Sequence, residues 1–298
     1  MSQLLSLARV GLKGLRWTVS RIGYDVIPAP RSTNPQSTAV TAKIAGGSVN
    51  RGRTALASRA LRSFPASDDA RVTPLYQDIR SKVVGLDGST FDFPVIDGAE
   101  KGLKSSHDRI LWYVNPLRVR GYLTCLDFVD ACGVDLKGAT VLDLGTGAGV
   151  LPYLVSRHYE RVEALGIDLS EKYVALAQAL FPSVKYRQDN LDHFDLSSSY
   201  DCVFCTQTLE HMAFPGDAVR KLVTLVRPGG HLILTVPDGR SDTSPSNMLH
   251  PESESYNGHV NFWSIESWAS FLQENLSIAA LEVAITDRNC LYACITLA

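Results

Sequence analysis

The sequence predicts an α/β fold: a doubly wound, mostly parallel seven-stranded sheet with an antiparallel edge strand and a helical N-terminal extension. Three observations carry that prediction. From about residue 105, β-type apolar runs alternate with amphipathic helical runs. A glycine-rich turn, "GTGAG", follows the first of these strands. The first three strands each end in an acid or an amide.

Taken in order, "MSQLLSLARVGLKGLRWTVSRIGYDV" puts Leu4, Leu5, Ala8, Leu12, Leu15, Val19 and Ile22 at helical spacing, with Arg9, Lys13, Arg16 and Arg21 largely between them. Residues 1–27 therefore read as a basic amphipathic helix. The run is too polar for a spanning helix, which needs about 18 apolar residues. Residues 28–50, rich in Pro, Ser, Thr and Gly, read as a linker. Residues 51–104 form an N-terminal extension in which "RTALASRALRSF" suggests a short helix and "VVGLDGSTFDFPVIDG" two short strands. The remaining domain, 105–298, opens with a long helical region broken near Asn115-Pro116. Strand 140–145, helix 149–158, strand 162–168 and helix 170–181 follow. Next come strand "VKYRQD", strand 200–206, helix 216–226, strand 231–237 and helix 264–275. The last two strands, "IAALEVAITD" and "CLYACITL", are separated only by a short turn and should pair antiparallel at one edge. The chain stops with the last strand, so no C-terminal domain is expected.

A net charge of −2 gives no push toward nucleic acid, and none is expected as a partner. The charge is uneven: residues 1–67 hold ten Lys or Arg against one acid, Asp25. That arm suits an anionic membrane surface, or a helix packed on its own domain or a partner; a mitochondrial presequence is a third reading. The expected location is cytoplasmic, at the membrane surface, with the mitochondrion as the alternative. The six cysteines lie mostly in apolar runs and read as buried thiols. Cys202 and Cys205, three apart on a strand, point to opposite faces and make a poor zinc pair.

In "VLDLGTGAG" the spacing is G-x-G-x-G, not the G-x-G-x-x-G of a dinucleotide turn, which disfavours a nicotinamide oxidoreductase. Asp143 precedes the glycines by two residues, where a carboxylate suits a cationic ligand better than a diphosphate. Asp168 closes the second strand, 23 residues after Gly145, a spacing suited to ribose hydroxyls. Asp189 and Asn190 close the third and are candidates for an adenine amino group.

These motifs, with "YDCVFCTQTLEHM" and "LVRPGGHLILTVP", resemble the class I S-adenosylmethionine-dependent methyltransferases of the small-molecule or sugar O-methyltransferase type, with their Rossmann-like sheet. The resemblance covers about two thirds of the chain. It implies S-adenosyl-L-methionine as cofactor, contacted by Asp143, Gly145, Thr146, Gly147, Gly149, Asp168, Leu169, Asp189 and Asn190, with Gln207 and Leu209 beside its methionine part. The basic start followed by "RIGYDVIP" resembles bacterial methyltransferases of surface-polysaccharide biosynthesis, which implies a lipid-linked sugar as one acceptor class.

Three roles are open to Glu210 and His211. They brace the following helix and floor the cofactor; or His211 is the general base that deprotonates an acceptor hydroxyl; or, as in the small-RNA and ubiquinone-biosynthesis methyltransferases, the pair joins His259 around a divalent cation. Gln207 stands where the small-RNA enzymes have a charged ligand, so no metal is assigned and the cation remains the alternative. Trp112 and Tyr113 on the first helix and His250, Tyr256 and His259 in the long polar loop 241–264 are the candidate acceptor contacts. A non-catalytic cofactor-binding protein is the competing reading outside enzymes.

Overall fold

The computed structural model describes residues 62–87, 105–190, 199–242, 259–286 and 289–297, all within the unit Arg59–Ala298. Strand β1 (Arg62–Phe64) and helix α1 (Asp69–Val84) come first. The helical region then divides into α2 (Ser106–Tyr113) and α3 (Pro116–Ala131). Asn115 causes that break: its side chain accepts from Arg118 N at 3.0 Å and caps α3, while Pro116 takes the first helical position. Strands β2 (Thr140–Leu144), β3 (Glu163–Asp168), β4 (Lys185–Gln188), β5 (Tyr200–Thr206) and β6 (Val226–Pro237) follow. Between them lie α4 (Val150–His158), α5 (Glu171–Leu180) and α6 (Pro215–Thr224). Helix α7 (Ile265–Asn275), β7 (Ala280–Thr286) and β8 (Cys290–Thr296) complete the described chain.

The strands form one eight-stranded sheet in the order β1-β7-β8-β6-β5-β2-β3-β4. β8 runs antiparallel to both of its neighbours, β6 and β7. The last two strands do pair antiparallel, but the reversed strand lies inside the sheet, between β6 and β7, and β1 adds an eighth strand parallel to β7 at the edge. Two local expectations are corrected. Arg62–Phe64, the described end of the run read as a short helix, is a strand, since the open edge of β7 offers hydrogen bonds that three residues alone would lack. Val83 and Val84 end helix α1 and do not start a strand: Val83 is fully buried on the helix's inner face, and Gly85 caps the end. Residues 1–61, and with them the basic arm and linker, lie outside the described residues.

Side chains alternate along the central strands between two apolar cores. Val141, Cys202, Phe204 and Ile233 join α1, α3, α4 and α5 on one face. Leu142, Leu144, Val203, Cys205, Leu232 and Leu234 join α6 and α7 on the other. Cys202 and Cys205 thus do point to opposite faces, and none of the six cysteines is in a disulfide. Among the described residues no helix is long and apolar enough to cross a membrane.

Candidate functional site

The site lies where β2, β3 and β5 end, and the glycine turn sets its floor. Gly145, Gly147 and Gly149 have φ of +79°, +53° and +78°, left-handed values that a side chain makes costly. The turn is clipped to β3, since Gly145 N and Thr146 N both donate to the Ile167 carbonyl at 2.9 Å. A Cβ on Gly145 would stand 2.5 Å from Thr208 Oγ1, so the turn abuts the loop that leaves β5. At Gly147 the same atom would meet nothing within 4 Å among the described residues.

Asp143 is buried, 1 % exposed, and among the described residues its Oδ1 has no hydrogen-bond partner. Burial pushes this carboxyl up to about 7, eased by the adjacent Thr146 hydroxyl and raised further by the charge of Asp168. Asp168 accepts from Gly147 N at 2.8 Å through Oδ2 and from Ser170 N at 2.9 Å through Oδ1. It therefore ties the glycine turn to the start of α5 and keeps lone pairs on both oxygens. Leu169 lends its carbonyl to Gln188 Nε2 at 3.1 Å. Asp189 pairs with Arg187 at 3.1 Å and accepts from Asn190 N at 2.8 Å.

Beyond β5 the chain makes one 3-10 turn, Leu209–His211, which presents Glu210 and His211. Gln207 is held at φ +51°, with its amide N donating to the Thr235 carbonyl at 2.8 Å and its Nε2 to Thr235 Oγ1 at 3.3 Å. It is thereby turned to β6 and is no member of the acid–histidine group. Leu209 is fully buried core.

Glu210 is 1 % exposed, and among the described residues neither carboxylate oxygen is hydrogen-bonded to another residue. Burial pushes it up to about 8; its own backbone N–H opposes the rise, the nearby Asp242 charge adds to it and Arg118 opposes it. One ligand atom each from Glu210, His211 and His259 lie within 4.8 Å of one another. The rings of His211 and His259 stand 4.7 Å apart, and His259 Nδ1 is hydrogen-bonded to Asp242 Oδ2. Burial lowers the His259 pKa, against the pull of Asp242. Two oxygen ligands' worth of unbonded carboxylate beside two imidazoles is a donor set that fits a divalent cation.

Trp112 and Tyr113 bracket Arg118, whose guanidinium carbon is 5.4 and 5.8 Å from their ring centres. Tyr113 also meets Tyr173, on the helix after Asp168, at 5.5 Å. The expected aromatics thus reach the site's edge, packed around a cation and against α5. His250 and Tyr256 lie outside the described residues.

Two residues not singled out from sequence, Asn261 and Asp242, complete the site together with Arg118 of the helical region 107–124. Asn261 Nδ2 donates to the carbonyls of Met212 at 2.6 Å and Leu209 at 3.1 Å. The N–H groups of Val260 and Asn261 both donate to the Glu210 carbonyl. The 3-10 turn is therefore clamped from a segment about 50 residues away. Arg118 and Asp242 supply the charges that face Glu210. Only Arg118 left a sequence signal, a cation in the first turn after the Asn-Pro break; the other two depend on tertiary contact.

A family model described as a methyltransferase domain matches residues 119–275, more than half of the chain. Among curated relatives, the ubiquinone biosynthesis O-methyltransferase of Acinetobacter baumannii (strain ACICU) is 32% identical over 137 residues, covering 44% of this chain and 54% of the relative. The same-named protein of Alkalilimnicola ehrlichii is 34% identical over 128 residues, covering 41% and 48%. The chain spans about half the length of these relatives. Among solved structures, it is similar to a SAM-dependent methyltransferase from Aquifex aeolicus, at 20% identity, TM-score 0.46, and 58% and 89% coverage. It is also similar to magnesium protoporphyrin IX methyltransferase from Synechocystis PCC 6803 with bound SAH, at 19% identity, TM-score 0.46, and 76% and 99% coverage.

Proposed function

The chain belongs to the methyltransferase-domain family, and from that membership we propose that it transfers a methyl group from S-adenosylmethionine to a hydroxyl of a small molecule. The observation that carries the acceptor chemistry is the Glu210–His211–His259 group at the end of β5, against the glycine turn. The relatives' name, O-methyltransferase, supports the same assignment.

The residues fit the cofactor: the unbonded, buried Asp143 oxygen suits an ammonium group, Asp168 suits paired hydroxyls, and the space over Gly147 admits a close approach. When bound, S-adenosylmethionine supplies an electrophilic sulfonium methyl. Asp143, Asp168 and the glycine turn hold its position, which is the main contribution an enzyme makes to an in-line displacement. Arg118 places a positive charge on the same side as Glu210. In the metal-free form of this reaction, His211 is the base that takes the proton the acceptor hydroxyl loses as its oxygen–methyl bond forms and the carbon–sulfur bond breaks.

The unbonded oxygens of Glu210 favour a cation held by Glu210, His211 and His259. A lone histidine base would not require a buried carboxylate with no partner, whose desolvation costs several kcal/mol. A divalent cation there would lower the pKa of the acceptor hydroxyl. Labelled-methyl transfer to hydroxylated small molecules, before and after exhaustive chelation, tests both steps. Loss of transfer on chelation supports the cation; transfer that survives chelation but falls with His211→Ala returns the role to a metal-free base. Cofactor binding without transfer to any acceptor would leave a non-catalytic chain. A lipid-linked sugar is the acceptor that residues 1–27 would favour. Sedimentation with anionic liposomes, with and without those residues, decides whether they contribute membrane contact: equal partitioning of both forms removes it.

A further inference from the structure

We propose that Asp242 is a positioning residue for the acid–histidine group, fixing His259 in the tautomer that turns its Nε2 lone pair toward a cation. The inference rests on the cation reading above and adds to it a residue outside the three ligands. The Asp242 side chain is 3 % exposed. A carboxylate is seldom buried that deeply without a partner that needs it. Here the partner is His259 Nδ1. A carboxylate only accepts, so Nδ1 carries the hydrogen and Nε2 carries the lone pair. Nδ1 is taken by Asp242, while the ring itself stands beside His211 in the group that includes Glu210.

The backbone holds both members of this pair in place. Asp242 N donates to the Asp238 carbonyl at 3.1 Å, which folds the chain back just after β6. Two residues beyond His259, Asn261 grips the turn that carries Glu210 and His211. The imidazole is thus aimed by its carboxylate on one side and set at a fixed offset from the other two ligands on the other. A metal-binding histidine whose second nitrogen donates to a carboxylate is more basic and better oriented, and loss of such a partner typically weakens metal affinity by about 10- to 100-fold. Asp242 also adds negative charge near Glu210, which a divalent ion would offset.

The test is direct titration with Mn2+, read by its electron paramagnetic resonance signal, on the full chain. Asp242→Asn should weaken Mn2+ binding by about 10-fold or more and leave S-adenosylmethionine affinity, read by calorimetry, unchanged. Asp242→Glu, which keeps a carboxylate, should restore part of the loss. In a double-mutant cycle, Asp242→Asn should add little once His259→Ala is present, because its effect passes through that ring. Thermal unfolding without metal identifies a variant that merely fails to fold, in which case the Asp242→Glu and His259→Ala arms decide. Equal Mn2+ affinity in wild type and Asp242→Asn, or full additivity in the cycle, overturns the positioning role. No Mn2+ binding by the wild type overturns the cation reading itself.

Discussion

Asp143 shows how one side chain links stability to ligand. Its folded-state pKa, about 7, stands above its ordinary 3.8 because of burial. Between those values the folded chain holds a proton that the unfolded chain releases. The contribution is therefore fully present below about pH 4 and is lost as pH rises toward 7. Urea unfolding between about pH 4.5 and 7.5 should show Asp143→Asn flattening a decline of at most about 1.4 kcal/mol per pH unit. An unchanged slope would mean that Asp143 is better solvated than its burial indicates. A bound ammonium group would reverse the preference and favour the ionised carboxylate. Gly149 makes the complementary case for close packing. At φ +78°, with a Cβ that would lie 2.6 Å from Ala177 Cβ, it has no room for alanine. Gly149→Ala should lower stability by about 2 kcal/mol or more, read as a fall in Tm; a neutral result would show that the turn relaxes.

The 3-10 turn Leu209–His211 is too short to hold itself, since three residues make little internal hydrogen bonding. Asn261 supplies what it lacks, bonding the carbonyls on either side of Glu210 and His211. Asn261→Ala should cost about 1–3 kcal/mol of stability and lower kcat by about tenfold through misplacement of the pair. S-adenosylmethionine affinity should change little, and a kcat equal to wild type would show that the clamp is redundant. This element also marks where the sequence stops being informative. Glu210 and His211 are visible because they follow an apolar strand at once. Asn261, Asp242 and the turn they support meet only in three dimensions, across dozens of residues, and no local periodicity records such a contact. The longer β6 has a similar origin: its Pro-Gly-Gly reads as a turn, yet Val226 already pairs with Tyr200. Between Tyr200 and Cys202 the register shifts, with Gly229 at φ +73° taking up the irregularity.

Taken whole, the molecule puts its proposed chemistry at the carboxyl ends of β2, β3 and β5, as a doubly wound sheet does. The sheet's parallel order follows from strands separated by helices, so that part was legible from Thr140 onward. β1 was not: "RSF" has neither the length nor the alternation of a strand, and it pairs only because β7 leaves an edge open. A cavity of about 200 Å³ at the opposite end, lined by Lys137, Arg227 and His231 among others, lies at the starts of β2, β5 and the central part of β6 and has no share in this chemistry. The central claim is that Asp143, Asp168 and the glycine turn form an S-adenosylmethionine seat. Calorimetric titration of the full chain with S-adenosylmethionine tests it most directly. The expected result is saturable binding that weakens about 10- to 100-fold in Asp143→Asn, the loss of one charge-assisted hydrogen bond. Absence of binding heat in the wild type across several temperatures, or equal affinity in the variant, would contradict it.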